Sequence, residues 1–167
     1  MKKTFYIFII FLFAFTVINS QTVFSSQNAS ATAILVVPLS ITSTLGDLDF
    51  GEIILSNVSS VERLSPSNGK LFIVSGHPNK NVTFTFNSVP MDNAAWVATS
   101  GGSVDNLEFV PDIELDNGTK IRNGDSHTLQ LNNGVGELDV WVGGSIKISA
   151  NQSPGDYTGR FTLNVTY

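Results

Sequence analysis

The chain has no cysteine. That absence removes disulfides, thiolate metal sites, thiol nucleophiles and a lipid-bearing cysteine behind a leader. Charge is also scarce: Lys, Arg, Asp and Glu make up 14% of the 167 residues, and His77 and His127 are the two histidines. Nucleic acids and anionic membranes reward dense Lys/Arg patches. A chain with a formal net charge of −5 offers none, which argues against both as partners. No long apolar run follows residue 18. No window carries a 3.6-residue apolar stripe of helical length either, so helices are not expected.

What is present begins with a leader. Lys2 and Lys3 precede the uncharged stretch 5–18, and the small polar pair Asn19 and Ser20 follows. A basic start, an apolar run of about 14 residues and a small-residue exit describe a secretory signal peptide, whereas a membrane span needs about 20 apolar residues. Residues 1–20 are assigned to it, with cleavage as late as 25 left open. Residues 21–30 read as a flexible leader, and 31–167 as a single domain. Export to the periplasm, the cell surface or the medium follows, with no membrane attachment after cleavage and no cofactor. Loss of the two lysines takes the formal charge from −5 to −7.

Beyond the leader, short strand patterns follow one another. Residues 31–37 are apolar on both faces and predict a strand that is buried or pairs with another sheet. Residues 39–43 resume after Pro38. In the stretch 47–55, Leu48 and Phe50 point one way, Asp47 and Asp49 the other, and Gly51 permits a bulge. Residues 61–64, 70–75, 82–86, 107–115, 128–131, 137–142, 145–150 and 159–167 complete the set. Val82, Phe84 and Phe86 alternate with Thr83 and Thr85. Turn dipeptides separate the strands: Asn117-Gly118, Asn123-Gly124, Asn133-Gly134, Gly143-Gly144 and Pro154-Gly155. Residues 87–106 are left unassigned, with Trp96 placed in the core. Short strands with turns at intervals of roughly 8–12 residues predict an all-β antiparallel sandwich. In its last strand Phe161, Leu163, Val165 and Tyr167 face inward.

The order "ATAILVVPLSIT", "DLDFG" and "VGGSIKISANQSPGDYTGRFTLNVTY" resembles the bacterial secreted family called domain of unknown function 4402. The matching pieces are the early Pro-Leu-Ser-Ile, Leu48-Asp49-Phe50-Gly51, Val142-Gly143-Gly144, and Pro154-Gly155-Asp156-Tyr157-Thr158-Gly159 before the last strand. That family is similar in layout to spore-coat U and fimbrial-subunit proteins. The resemblance implies an immunoglobulin-like, pilin-like Greek-key sandwich. It also implies assembly by strand donation from an N-terminal extension, here Ala31, Ala33, Leu35 and Val37. The cysteine pair of many such pilins is absent, and Tyr167 is the last residue rather than the next to last.

Chemistry is thin. Asp125-Ser126-His127 holds triad residue types, but neighbours on a strand point to opposite faces. Glu137-Leu138-Asp139 begins a glycosidase-like Glu-x-Asp-x-x-Glu pattern, yet Val142 stands where the last glutamate belongs. Asp112, Glu114 and Asp116 alternate along one face and form a weak calcium candidate. Trp141 shares a strand face with Glu137 and Asp139, opposite Leu138, Val140 and Val142. An aromatic beside hydrogen-bonding groups is a platform for a sugar ring. The expected function is a non-enzymatic structural or adhesive surface protein, a filament-like subunit that pairs strands with itself or other surface subunits. A carbohydrate-binding module using Trp141 is the alternative, and a secreted hydrolase the third.

Overall fold

The computed structural model describes residues 26–44 and 46–167. The signal-peptide assignment lies outside the described residues, and no helix among those described is long and apolar enough to cross a membrane. Residues 26–38 are exposed and carry no regular structure.

The strands follow the alternation in the sequence. They are β1 (Ser40–Ser43), β2 (Ser60–Leu64), β3 (Lys70–Gly76), β4 (Asn81–Thr85), β5 (Val89–Asp92), β6 (Asn106–Leu115), β7 (Lys120–Ile121), β8 (Ser126–Thr128), β9 (Gln130–Asn132), β10 (Val135–Ile148) and β11 (Asn164–Thr166). All pairings are antiparallel. The larger sheet runs β1-β3-β10-β6-β5, with β2 and β9 also on β10 and β7 on β6; the smaller is β11-β4-β8. The molecule is an all-β sandwich. Asn133 (φ 48°) and Gly134 (φ 88°) turn β9 into β10, the paired positive φ of a type I′ hairpin.

The spine is β10, 14 residues long. Along one edge it pairs with β3 from Gly136 to Val142, then with β2 from Gly144 to Ile148. Along the other it pairs with β9 and then with β6. The expected turn at Gly143-Gly144 is therefore corrected: both residues lie inside this strand. They are glycines because of close approach, not reversal. A Cβ on Gly143 would lie 2.6 Å from Pro66 N, in the one-turn 3₁₀ helix Pro66–Asn68 between β2 and β3, and one on Gly144 would lie 2.6 Å from Val110 O.

The small sheet covers only part of the large one. Between them Val74, Val82, Phe84, Ile113, Leu129, Val140 and Val142 are buried. A second cluster, Leu107, Phe109, Ile146 and Ile148, is covered instead by Leu48, Phe50, Ile53, Tyr157 and Phe161. These lie outside the named strands, and Val89 and Met91 on β5 pack against the same cluster. Leu48 and Phe50 do turn inward while Asp47 and Asp49 stay exposed. The stretch is not a strand, because Asp49 Oδ1 takes the Gly51 N–H (2.8 Å) and bends the chain at Gly51 (φ 70°).

Three further expectations change. Residues 94–100 form a helix, α1 (Ala94–Ser100), too short to carry an apolar stripe. It follows the fully buried Asn93, whose Oδ1 accepts from Asp105 N (2.8 Å) and whose Nδ2 donates to Pro154 O (3.0 Å). Those backbone hydrogen bonds answer the burial of the amide. Trp96, expected in the core, is half-buried. In the last segment only β11 forms a strand, pairing with β4, while residues 159–163 carry no regular structure. Leu163 is buried and Phe161 and Val165 half-buried, but Tyr167 is 50% exposed. The bend after Pro154 is observed at Gly155 (φ 143°). Tyr157 is fixed there by donating to Ser153 O (2.7 Å) and accepting from Gln152 Nε2 (2.9 Å). A Cβ on Gly159 would lie 2.8 Å from Pro90 O on β5, so the chain passes there only without a side chain.

Candidate functional site

Residues 31–37 are not a buried strand of this sandwich. Ala31 and Ala33 are exposed, Ile34 and Leu35 are 85% and 87% exposed, and Val36 and Val37 are 45% and 38% exposed. Large aliphatic side chains normally leave water on folding, each gaining about 1.5–3 kcal/mol. Four in succession that do not are an anomaly. The apolar pattern is legible in the sequence; the exposure is not.

The same sandwich holds an open groove of about 800 Å³ whose lining is more apolar than polar. One wall is β1, through Ile41 and Ser43; the other is the stretch 157–163, including Phe161 and Leu163. Its floor is the inner face of the large sheet, with Phe72 and Phe109. Phe161 stands edge-on to Phe109 at 5.9 Å, which stiffens one side. Lys70 and Arg160 also line it, and the Lys70 side chain is only 18% exposed. The groove exists because the small sheet has three strands against eight and stops short of this floor. Nothing in the alternation of single strands signals this mismatch.

Where the apolar stretch joins the domain, one hydroxyl ties three segments. Tyr167 Oη donates to Val37 O (2.6 Å) and accepts from His77 N (2.8 Å). Val37 N faces His77 Nδ1 at 3.5 Å.

Along β10, Leu138, Val140 and Val142 are buried on the inner face of the large sheet, while Glu137, Asp139 and Trp141 are half-buried on its outer face. Trp141 lies in register with Leu71 on β3 and Glu114 on β6. Its Nε1 donates to Asp116 Oδ1 (3.4 Å), and Glu137 accepts from Asn132 Nδ2 (2.8 Å). Asp139 has one carboxylate oxygen buried with no hydrogen-bond partner. Burial, then the charges of Glu137 and Asp116, hold its pKa above the usual carboxylate range.

The alternating acids are not brought together as a cation site. Lys120 Nζ lies 2.7 and 2.8 Å from the two oxygens of Asp112 and 3.2 Å from Glu114, while Asp116 turns to Trp141. No group of three metal-ligating side chains occurs among the described residues. The Asp125-Ser126-His127 side chains also diverge. Asp125 accepts from Arg122 N (2.8 Å), Ser126 bonds the Thr83 hydroxyl (2.7 Å), and His127 packs edge-on against Phe84.

The model of the family described as Domain of unknown function (DUF4402) matches residues 39–167. A comparison with curated proteins finds no match. The matched region begins two residues after Val37, so the exposed apolar stretch lies outside it.

Proposed function

The chain belongs to the family described as Domain of unknown function (DUF4402), and from the geometry of this member we propose an exported, non-enzymatic structural or adhesive surface protein that assembles by strand pairing between copies. In this reading residues 31–37 of one copy are the arm, and the groove between β1 and residues 157–163 of another receives it. One observation carries the reading: four exposed aliphatic residues stand on the same molecule as a largely apolar groove flanked by the edge strand β1 and the stretch 157–163. An added strand would place alternate side chains on the groove floor and offer its backbone to the flanking segments, the usual logic of β-augmentation. The pairing joins different surfaces of the two copies, so it is heterologous and can pass from copy to copy.

The chain beginning at Pro38 should stay a folded monomer, while the full chain forms concentration-dependent multimers. Size-exclusion chromatography with light scattering separates the two outcomes; identical monomeric behaviour of both forms would sink the proposal.

Trp141 favours a second reading. It lies half-exposed on the outer sheet face between acidic neighbours, which suits a carbohydrate-binding module stacking a sugar ring on the indole.

A further inference from the structure

Tyr167 is an odd residue for its place. It is half-exposed and contributes little to the core, yet the fold makes room for its hydroxyl. A Cβ on Gly76 would collide with that oxygen and would come within 2.9 Å of Leu129 Cδ1 and 3.2 Å of Leu39 Cδ1. Glycine at 76 therefore leaves a slot between two leucines through which the phenol reaches the backbone.

The groups it meets there need partners. His77 N–H lies just past the end of β3, beyond the sheet ladder. Val37 C=O precedes Pro38, which has no N–H to offer the surrounding chain. One hydroxyl, accepting at 2.8 Å and donating at 2.6 Å, answers both. Pro38 also restricts Val37 to extended backbone.

The direction of the chain gives this bond a consequence. β1 starts at Ser40 opposite Ser75 and runs to Ser43 opposite Phe72. The groove lies along Ile41, Thr42 and Ser43. Tyr167 thus holds the chain just before β1, at the Ser75–His77 end, and the groove begins farther along. Released from that point, seven extended residues span about 23 Å. With Pro38 and Leu39 as a loop, that is enough to fold back over the chain's own groove.

We infer that the Tyr167 hydroxyl is a positioning group that fixes the root of the arm at Val37, so the arm is presented to a second copy instead of folding into its own groove. This rests on the assembly proposed above.

The test uses the full chain, whose lack of cysteine makes introduced thiols unique. Leu35→Cys and Thr162→Cys are combined, with Tyr167 intact or as Tyr167→Phe, and oxidised. With Tyr167 the disulfides should link different chains into a ladder; with Tyr167→Phe the share formed within one chain should rise about tenfold, as expected for losing two backbone hydrogen bonds. In parallel, elastase cleavage at residues 33–37 in dilute, cysteine-free protein should speed up about five- to tenfold in Tyr167→Phe. Gly76→Ala, which keeps the hydroxyl but displaces it, should act alike. A general loss of stability would not by itself move the ratio of links within and between chains. Unchanged cleavage and an unchanged ratio, with the ladder present, would overturn the positioning role and leave the assembly standing. Faster cleavage with no ladder in either background would support the positioning of Val37 and refute the assembly.

Discussion

Alanine in place of Gly144 should destabilise the protein by about 2 kcal/mol, although glycine is normally the poorer strand residue. In an open strand the exchange would gain about 0.5–1 kcal/mol by restricting the unfolded chain. Here the new methyl would lie 2.6 Å from Val110 O and closer still to the Phe109 ring. The carbonyl belongs to β6, whose Val110 faces Ser145 in the ladder, so it cannot retreat without opening the sheet. The ring is 4% exposed and braced edge-on by Phe50 at 6.0 Å and Phe161 at 5.9 Å. Overpacking of this kind costs about 1–3 kcal/mol, and two unyielding neighbours place it at the upper end. For a domain of this size the net loss lowers Tm by roughly 6–10 °C. Urea unfolding followed by circular dichroism should show a lower midpoint with an unchanged slope. Phe109→Leu makes room for the methyl, so the double variant should be more stable than the sum of the single effects by at least about 0.5 kcal/mol. A Gly144→Ala protein as stable as the parent, or strictly additive effects, would show that β10 is not packed as described.

Two predictions concern the outer sheet face. The pKa of Asp139 is raised in the fold, so its ionised form is disfavoured there and its contribution to stability is lost as pH rises through the folded value. Asp139→Asn should therefore raise Tm at pH 7, and the gain should vanish near pH 3, below the ordinary aspartate pKa of about 3.9; a gain independent of pH would contradict this sign. If Trp141 is a sugar platform, a glycan array probed with the parent protein should give signals that Trp141→Ala loses, and binding that survives the substitution would end that assignment.

Much of the fold is legible because strand alternation is local. Val82, Phe84 and Phe86 announce β4 by themselves, and Asn133-Gly134 announces its hairpin through a backbone conformation few other pairs adopt. The errors arise where a residue's role depends on distant chain. Gly143-Gly144 has the composition of a turn, and only the passage of Pro66 and Val110 beside it reveals a crowded strand. Residues 94–100 make about two helical turns, too few to show an apolar stripe, and start where Asp92 Oδ1 accepts from Ala94 N. At the site, the sequence marks 31–37 as apolar but not as exposed. The alternation predicts Tyr167 as a core side chain and carries no sign of what its hydroxyl meets, because its partners, Val37 and His77, lie 130 and 90 residues away in the chain.

The central place of β10 also bears on how fast the protein can fold. Its partners are remote in the chain: Ser60 pairs with Ile148, and Lys70 with Val142. The small sheet likewise waits for Asn164 to reach Thr85. Closing such long loops costs entropy before any contact repays it, and sheets dominated by distant pairings fold over milliseconds to seconds. Until β10 arrives, β2 and β3 share no ladder, and their free edges are open to pairing with other chains. The strand that unites the finished sandwich thus sets the length of the interval in which an emerging chain is most exposed to wrong partners.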